Sequence, residues 1–209
     1  MQHESNRHPW VLPAAVAVAL VAGHSAVAGP ATPQEDETVM ARARGVTLQR
    51  AIAAATDRVP GRVTWAARER FDGSTFVMVQ VVKDDRTTDT VTLDSRSGKV
   101  LKVEPHVDNP KKGDDKKKDE KGKNGTPAVH GTIPAGNARP YEYPYLAKVS
   151  MLDAITAALA WKKGAVVEVY LYAEAGWVLY GIEISTAVGK IEIVQVDAGT
   201  GRVLGTVRM

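Results

Sequence analysis

The side chains best suited to acid–base or nucleophilic chemistry are scarce in this chain. It contains no cysteine. Its five histidines are His3, His8, His24, His106 and His130. The first three precede residue 28, and the other two lie between the two repeats described below. We therefore exclude a thiol nucleophile and a cysteine-ligated metal, and within either repeat a Ser-His-Asp triad or a histidine-built zinc site.

Two aspartates recur at equivalent positions and could form a shared ligand site. Asp94 and Asp197 each begin a segment of the form D-x-x-[ST]-G. An aspartate at the start of a tight turn also accepts hydrogen bonds from the backbone of that turn. We favour the turn as the role of both residues.

The remaining carboxylates show no catalytic spacing. Asp84, Asp85 and Asp89 could hold Ca²⁺, but the second repeat does not preserve them, so a solvated loop is the better interpretation. Glu69 has no second carboxylate at a spacing typical of acid–base pairs, which favours a surface charge on a strand. We predict no catalytic residue, no metal site and no cofactor, and we interpret the protein as non-enzymatic.

Aromatic side chains and one acidic residue are the candidates for contacting a partner. Trp177 follows a glycine turn, where exposure competes with packing in the core or between domains. Tyr141, Tyr143 and Tyr145 precede the second repeat, and they either form its leading edge or dock the two repeats together. These four residues and Glu69 are the predicted interaction residues.

The basic character of the chain is concentrated in one segment. Residues 105–140 hold seven lysines and one arginine against five acidic residues, which equals the net charge of +3 of the whole chain. This segment could bind an anionic polymer or lipid headgroups, although its interspersed acids favour a solubilising spacer. No basic–aromatic platform accompanies the charge, so nucleic acid is not an expected partner.

One unit of about 59 residues occurs twice. Residues 46–104 superpose on 149–207 at a constant offset of 103 without a gap, and 13 of 59 positions are identical. Average residue usage would give roughly four identities. Internal duplication determines the architecture of a chain, so we predict two small domains of one fold.

Each repeat is predicted to contain one helix followed by four antiparallel strands. Thr47 and Ser150 are typical N-caps before apolar residues at helical spacing, and Gly61 and Gly164 end the helices. The first three predicted strands are 63–70, 76–82 and 90–93, and then 166–172, 178–184 and 191–196; a last strand carries Val100 and Leu101 in the first repeat, and Val203 and Leu204 in the second. Positions 77, 79 and 81, with 180, 182 and 184, should face the core. The fold class is α+β, with one helix packed on each antiparallel meander.

The segments outside the repeats have distinct predicted roles. Residues 1–28 have the apolar run and A-x-A site of a signal peptide, with cleavage after Ala28; an uncleaved anchor is the alternative. Residues 29–45 are expected to be a flexible lead-in. Residues 105–140 are expected to be a disordered linker, because they hold little apolar surface, and residues 141–209 complete the second domain. The mature chain is then periplasmic or secreted, without a stable membrane anchor.

Each repeat resembles a PepSY domain. The resemblance lies in the order of its parts: a Thr- or Ser-capped alanine-rich helix, then G-x-V, a hairpin, and D-x-x-[ST]-G-[KR]-V-L. An acidic residue late in the first strand is common in that family; Glu69 fits, whereas the second repeat has Tyr172. The resemblance implies an exported protein, and it links the domain to the propeptides of secreted metallopeptidases, where it inhibits and assists folding.

The sequence therefore favours a binding or regulatory protein that inhibits or modulates an extracytoplasmic peptidase through its two domains. The alternative is an envelope structural or sensory accessory that binds anionic surface polymer or lipid through the lysine-rich linker. Exposed sheet edges that accept a strand of the partner are the expected mode of binding. The sequence leaves the arrangement of the two domains open.

Overall fold

The structure is a computed structural model that describes residues 45–106, 129–186 and 189–208. The first repeat contains helix α1 (Leu48–Arg58) and strands β1 (Arg62–Phe71), β2 (Ser74–Val82), β3 (Thr88–Asp94) and β4 (Val100–His106). A 3-10 helix (Pro140–Glu142) and the short helix α2 (Tyr143–Leu146) precede the second repeat. That repeat contains α3 (Met151–Trp161), β5 (Ala165–Glu174), β6 (Trp177–Ser185), β7 (Ile191–Asp197) and β8 (Val203–Arg208).

Both long helices begin at the predicted caps. The Thr47 hydroxyl accepts a hydrogen bond from the backbone N–H of Arg50 at 3.3 Å, and Ser150 accepts one from Asp153 at 3.2 Å. Each cap satisfies one of the N–H groups that a helix leaves unpaired, which stabilises it by about 1 kcal/mol. The side chain of Asp153 returns a contact, since it accepts from the Ser150 hydroxyl at 2.6 Å.

The strands of both repeats form a single antiparallel sheet in the order β4-β3-β2-β1-β5-β6-β7-β8. Each repeat is a four-stranded meander, and the first strands of the two meanders pair with each other. The predicted α+β class, with one helix on each meander, is confirmed. The arrangement that the sequence left open is a continuous sheet with the first repeat on one half and the second on the other.

The helices pack on one face of this sheet, and the predicted core positions are confirmed. Val77, Val79 and Val81 are fully buried, as are Ile182 and Ile184. They form one cluster with the apolar stripes of α1 and α3, including Ala51, Ile52, Ala154 and Ile155. Alanines in these stripes bring each helix close to the sheet. We call the opposite surface of the sheet the far face.

The segment between the repeats is more ordered than predicted at both of its described ends. Pro105 and His106 are the last residues of β4. Ile133 and Ala135 are buried in the core, and the backbone N–H of Val178 donates to Ile133 at 2.9 Å. The prediction of disorder over 105–140 is therefore wrong at these ends, because a few apolar residues find backbone partners at the start of β6. The rest of that segment, 107–128, lies outside the described residues.

The predictions for residues 1–28 and 29–44 also lie outside the described residues. Within the described ranges, no helix is long and apolar enough to cross a membrane.

Candidate interaction surface

The seam between the repeats has local twofold symmetry. Ala66 on β1 pairs with Val169 on β5, which is its own counterpart 103 positions later. The flanking pairs, Trp65 with Tyr170 and Ala67 with Glu168, are related to each other in the same way. The chain therefore resembles a symmetric dimer whose two subunits have been joined.

Sequence divergence has made this seam asymmetric. Trp65 and Glu168 are counterparts in the two repeats, and the indole N–H of Trp65 donates to a carboxylate oxygen of Glu168 at 2.8 Å. Two glutamates could not form this hydrogen bond, because ionised carboxylates only accept, and two tryptophans could not, because the indole N–H only donates. The hydrogen bond lies on the far face and links the first repeat to the second.

Tyrosines and glutamates of the second repeat continue this group on the far face. The Tyr170 ring lies across Gly181 on the neighbouring strand, where an added Cβ would come within 2.5 Å of ring carbons. Burial, together with the charges of Glu183, Glu168 and Glu174, raises the pKa of Tyr170 to about 12. Its hydroxyl therefore stays protonated at physiological pH and remains a hydrogen-bond donor.

A second group of hydrogen bonds fixes Gln195 over β6. Its amide donates to the Tyr172 hydroxyl at 2.7 Å and to a carboxylate oxygen of Glu174 at 2.6 Å. The Tyr172 hydroxyl in turn donates to Glu174 at 2.9 Å. Burial is the main cause of a strongly raised pKa of Tyr172. Because Gln195 points toward β5, it does not cover its other neighbour, Gly205 on β8.

The two ends of the sheet differ in composition. Beyond β4 and β8 the described residues contain no further paired strand. The β4 edge carries Pro105 and an exposed ion pair, with Lys102 Nζ 2.6 Å from a carboxylate oxygen of Glu104. Charges and proline protect edge strands from unwanted pairing. The counterparts of Lys102 and Glu104 on β8 are Gly205 and Val207, so these protective charges are absent from the equivalent positions of β8.

Tyr145 docks the segment before the second repeat onto the first repeat. Its hydroxyl contacts the backbone oxygens of Val82 and Lys83. The guanidinium carbon of Arg86 lies 3.6 Å from the ring centroid, and that of Arg62 lies 5.2 Å away. A cation placed over an aromatic ring is attracted to the negative face of the ring. Of the two roles considered for these tyrosines, Tyr145 takes the docking role.

The other predicted interaction residues are dispersed. Tyr141 is half-buried in the 3-10 helix, and Tyr143 packs against the core, where burial raises its pKa. Trp177 is half-buried, pairs with Pro134 and contacts the His130 ring edge-on at 6.4 Å. Glu69 lies on β1 opposite Phe76. The structure does not bring these four residues together into one site.

Asp94 and Asp197 hold their turns, which confirms the interpretation made from sequence. Asp94 accepts from the backbone N–H and hydroxyl of Ser97 at 2.7 and 2.6 Å. Asp197 accepts from the Thr200 hydroxyl at 2.5 Å, and also from the backbone N–H and hydroxyl of Thr132 at 2.8 and 2.7 Å. The second aspartate therefore also anchors the incoming chain.

The acidic loop of the first repeat uses its carboxylates locally. Asp85 accepts from the backbone N–H and hydroxyl of Thr87 at 2.9 and 2.6 Å, and Asp89 pairs with Lys83 at 3.2 Å. Within 45–106, 129–186 and 189–208, no three acidic or histidine side chains are placed to hold a metal ion.

Sequence reasoning missed the far-face residues and the difference between the edges. Alternate positions of β5, namely 168, 170, 172 and 174, are all glutamate or tyrosine. That alternation is typical of a strand with one polar face, and it was available from the sequence. The pairing of Gly205 with Gln195 was not, because it depends on the register of β7 and β8.

Comparison with known proteins identifies the repeats. The PepSY family, described as the peptidase propeptide and YPEB domain, matches residues 45–104 and 148–207. Similar solved structures include a candidate lipoprotein from Clostridium difficile 630, with 18% identity, 79% of this chain and 95% of that chain covered, and a TM-score of 0.42. The YpmB protein from Bacillus subtilis has 14% identity, covers 76% and 95% of the two chains, and has a TM-score of 0.29. The C-terminal domain of YpeB from Bacillus megaterium has 13% identity, covers 79% and 66%, and has a TM-score of 0.27.

These TM-scores lie below 0.5, so the assignment depends on the two matched domains. The comparison with curated proteins found no similar sequence. The two matches cover more than half of the chain, and they coincide with the two meanders and their helices. The chain belongs to the PepSY family and contains two copies of its domain.

Proposed function

We propose that this protein is an extracytoplasmic, non-enzymatic binding protein that modulates a peptidase. Membership of a family described by the peptidase propeptide supports a peptidase as the partner. The predicted signal peptide supports the location. The absence of cysteine from the chain, and of histidine from 46–104 and 149–207, supports a binding role over a catalytic one.

The binding mode that we propose is the addition of an extended partner segment to the β8 edge. The observation that carries it is the composition of β8, Val203–Arg208, which lacks a proline and a glutamate such as those found on β4. An edge strand offers backbone N–H and C=O groups to a second chain. Main-chain hydrogen bonds then supply affinity, and pockets for alternate side chains supply specificity.

The β4 edge is the natural internal control. Leu101 on this strand is 53% exposed, so apolar exposure by itself does not distinguish the two edges. The distinguishing features of β4 are the adjacent charges of Lys102 and Glu104 and the proline at position 105. A partner strand that pairs there would have to accommodate these charges and would find no N–H donor at Pro105.

The test is site-specific photo-crosslinking with residues 29–209. A photoreactive phenylalanine is placed at 206 on β8 or at the equivalent position 103 on β4, and the protein is mixed with its native extracytoplasmic fraction. We expect a peptidase adduct from position 206 only, and inhibition of that purified peptidase by the unmodified protein. Gly205→Lys with Val207→Glu should abolish both effects, whereas Lys102→Gly with Glu104→Val should retain them.

A variant that lacks 108–124 separates this proposal from binding through the lysine-rich segment. The deletion should leave the adduct and the inhibition unchanged. Loss of all binding upon deletion, together with capture of anionic polymer or lipid by the intact chain, would instead assign the activity to that segment. Failure to crosslink or inhibit any peptidase would contradict the proposal.

A further inference from the structure

A row of paired residues crosses the far face of the second repeat and ends at a glycine with open space above it. Tyr170 on β5 lies opposite Gly181 on β6, which lies opposite Gln195 on β7, which lies opposite Gly205 on β8. Residues directly opposite each other in a sheet point to the same face. The four residues therefore line one strip of the far face that runs from the seam to the β8 edge.

Within this row, an aromatic ring already fills the space above one glycine. Gly181 has no side chain, and the Tyr170 ring lies in the space that a Cβ would occupy. An aromatic side chain placed across from a glycine in this way covers backbone that would otherwise be exposed. The pair shows that this sheet accommodates a tyrosine ring above a glycine on the neighbouring strand.

Gly205 has no such cover within the described part of the chain. A Cβ added there would meet no described atom within 4 Å. Its neighbour Gln195 is bonded to Tyr172 and Glu174 on the other side. The space above Gly205 therefore opens toward the outer edge of β8, where a further strand would lie about 4.8 Å away.

The charge around this edge also selects a partner. On β7, Glu192 lies opposite Arg208, so Arg202 is the basic residue of this edge that has no acidic residue opposite it in the described register. Arg202 is exposed at the start of the strand. An added strand with an acidic residue opposite Arg202 would complement this arginine, whereas a basic residue there would be repelled.

We propose that β8 binds an extended segment with an aromatic side chain opposite Gly205 and an acidic residue at the end that lies opposite Arg202. This inference rests on the proposed function and specifies the chemistry of its partner segment. The strip that begins at the seam is then continued by one residue, with the partner's ring above Gly205 as Tyr170 lies above Gly181. An aromatic cross-strand pair of this kind contributes up to about a fivefold gain in affinity.

The test uses synthetic heptapeptides and the full chain. The probe is acetyl-Glu-Thr-Val-Tyr-Val-Thr-Glu-amide. Two comparison peptides have the same sequence, one with alanine at the centre and one with lysine at both ends. Binding is measured by fluorescence anisotropy, and the site is located by NMR. We expect the tyrosine peptide to bind more tightly than the alanine peptide, by up to about fivefold, and the lysine-flanked peptide to bind weakest.

The matched variant is Gly205→Thr, which fills the position with a residue that favours strands. It should keep the affinity for the alanine peptide and remove the preference for tyrosine. Equal binding of the tyrosine and alanine peptides to the native chain would overturn this inference and leave strand addition at β8 intact. If none of the peptides binds, this inference is overturned. The peptidase crosslinking experiment would still decide the proposed function independently.

Discussion

The two repeats share one scaffold and differ in the row that crosses the far face of each. In the first repeat the row reads Ala67, Met78, Thr92 and Lys102, and in the second it reads Tyr170, Gly181, Gln195 and Gly205. Large and small residues have changed places at the first two positions. The last position is a lysine on β4 and a glycine on β8. Equivalent backbones thus support one protected edge and one unprotected edge.

The two repeats keep the same residues at some buried helix positions and differ on the far face. The buried faces of the two long helices have the same residues at several equivalent positions, such as Ala51 and Ala154 or Ile52 and Ile155. At the seam, the counterparts Trp65 and Glu168 differ and form a hydrogen bond because they differ. The far-face residues at the seam have therefore diverged, whereas these buried helix positions have not.

The largest expected effect tests whether the repeats form one cooperative unit. Ile52→Ala and Ile155→Ala remove equivalent, almost fully buried side chains, and each should lower the free energy of unfolding by about 2–5 kcal/mol. Because β1 and β5 pair, each variant should show a single transition in urea monitored by circular dichroism. Two separate transitions, of which only one shifts, would contradict the shared sheet.

The next effect tests the row of the second repeat. Gly181→Val introduces atoms into the space held by the Tyr170 ring, and overpacking of this kind costs about 1–3 kcal/mol. Gly205→Val, on the same row but in open space, should change stability by less than about 0.5 kcal/mol. Equal losses for both variants in thermal unfolding would show that the ring position is not what distinguishes the two glycines.

A smaller effect separates the two turn aspartates. Asp197→Ala removes hydrogen bonds both to its own turn and to Thr132, and it should cost about 1–2 kcal/mol. Asp94→Ala affects its own turn alone and should cost less. Burial would raise the pKa of Asp197, but hydrogen bonds from Thr200 and Thr132 outweigh burial and lower it.

Since the pKa of Asp197 is lower in the folded state, its contribution to stability is present above about pH 4 and is lost as the pH falls through the folded pKa. Asp197→Ala should therefore flatten the acid limb of the stability–pH curve. An unchanged acid limb in urea titrations at pH 2–5 would be inconsistent with these hydrogen bonds.

The smallest effect appears at alkaline pH and belongs to the second repeat. Residues 46–104 contain no tyrosine, whereas the pKa of Tyr170 is raised to about 12. A raised folded pKa means that stability is fully present below the unfolded value of about 10 and declines as the pH rises toward the folded value. Tyr170→Phe should make this decline shallower, as measured by urea unfolding between pH 9 and 12, and an identical slope would argue against burial of the hydroxyl.

Much of the fold was predictable from the sequence, because helical spacing and strand alternation reflect the shared core. The caps Thr47 and Ser150 and the inward-facing positions 77, 79 and 81 were predicted correctly. Strand ends were less well defined: the sequence placed a last strand at Val100 and Leu101, and β4 extends to His106. An edge strand has one pairing partner and a weak apolar pattern, so its end is poorly marked in the sequence.

The alignment of the far-face residues of the two repeats was not predictable, because it depends on two β-bulges. The pairing register shifts between Val63 and Trp65 and between Val166 and Glu168. A bulge adds one residue to a strand and reverses which residues face each side. Without the positions of these bulges, the sequence does not place Trp65 beside Tyr170. The pairing of β1 with β5 is likewise a contact between distant residues that no local pattern encodes.

The difference between the two edges is the central claim, and reciprocal exchange tests it most directly. NMR chemical shifts are recorded for the native chain, for Gly205→Lys with Val207→Glu, and for Lys102→Gly with Glu104→Val and Pro105→Arg, each titrated with the acidic tyrosine heptapeptide. We predict perturbations along Val203–Arg208 in the native chain, none there in the first variant, and additional perturbations along Val100–His106 in the second. Perturbations confined to β4 in the native chain, or unchanged binding after both exchanges, would contradict the account.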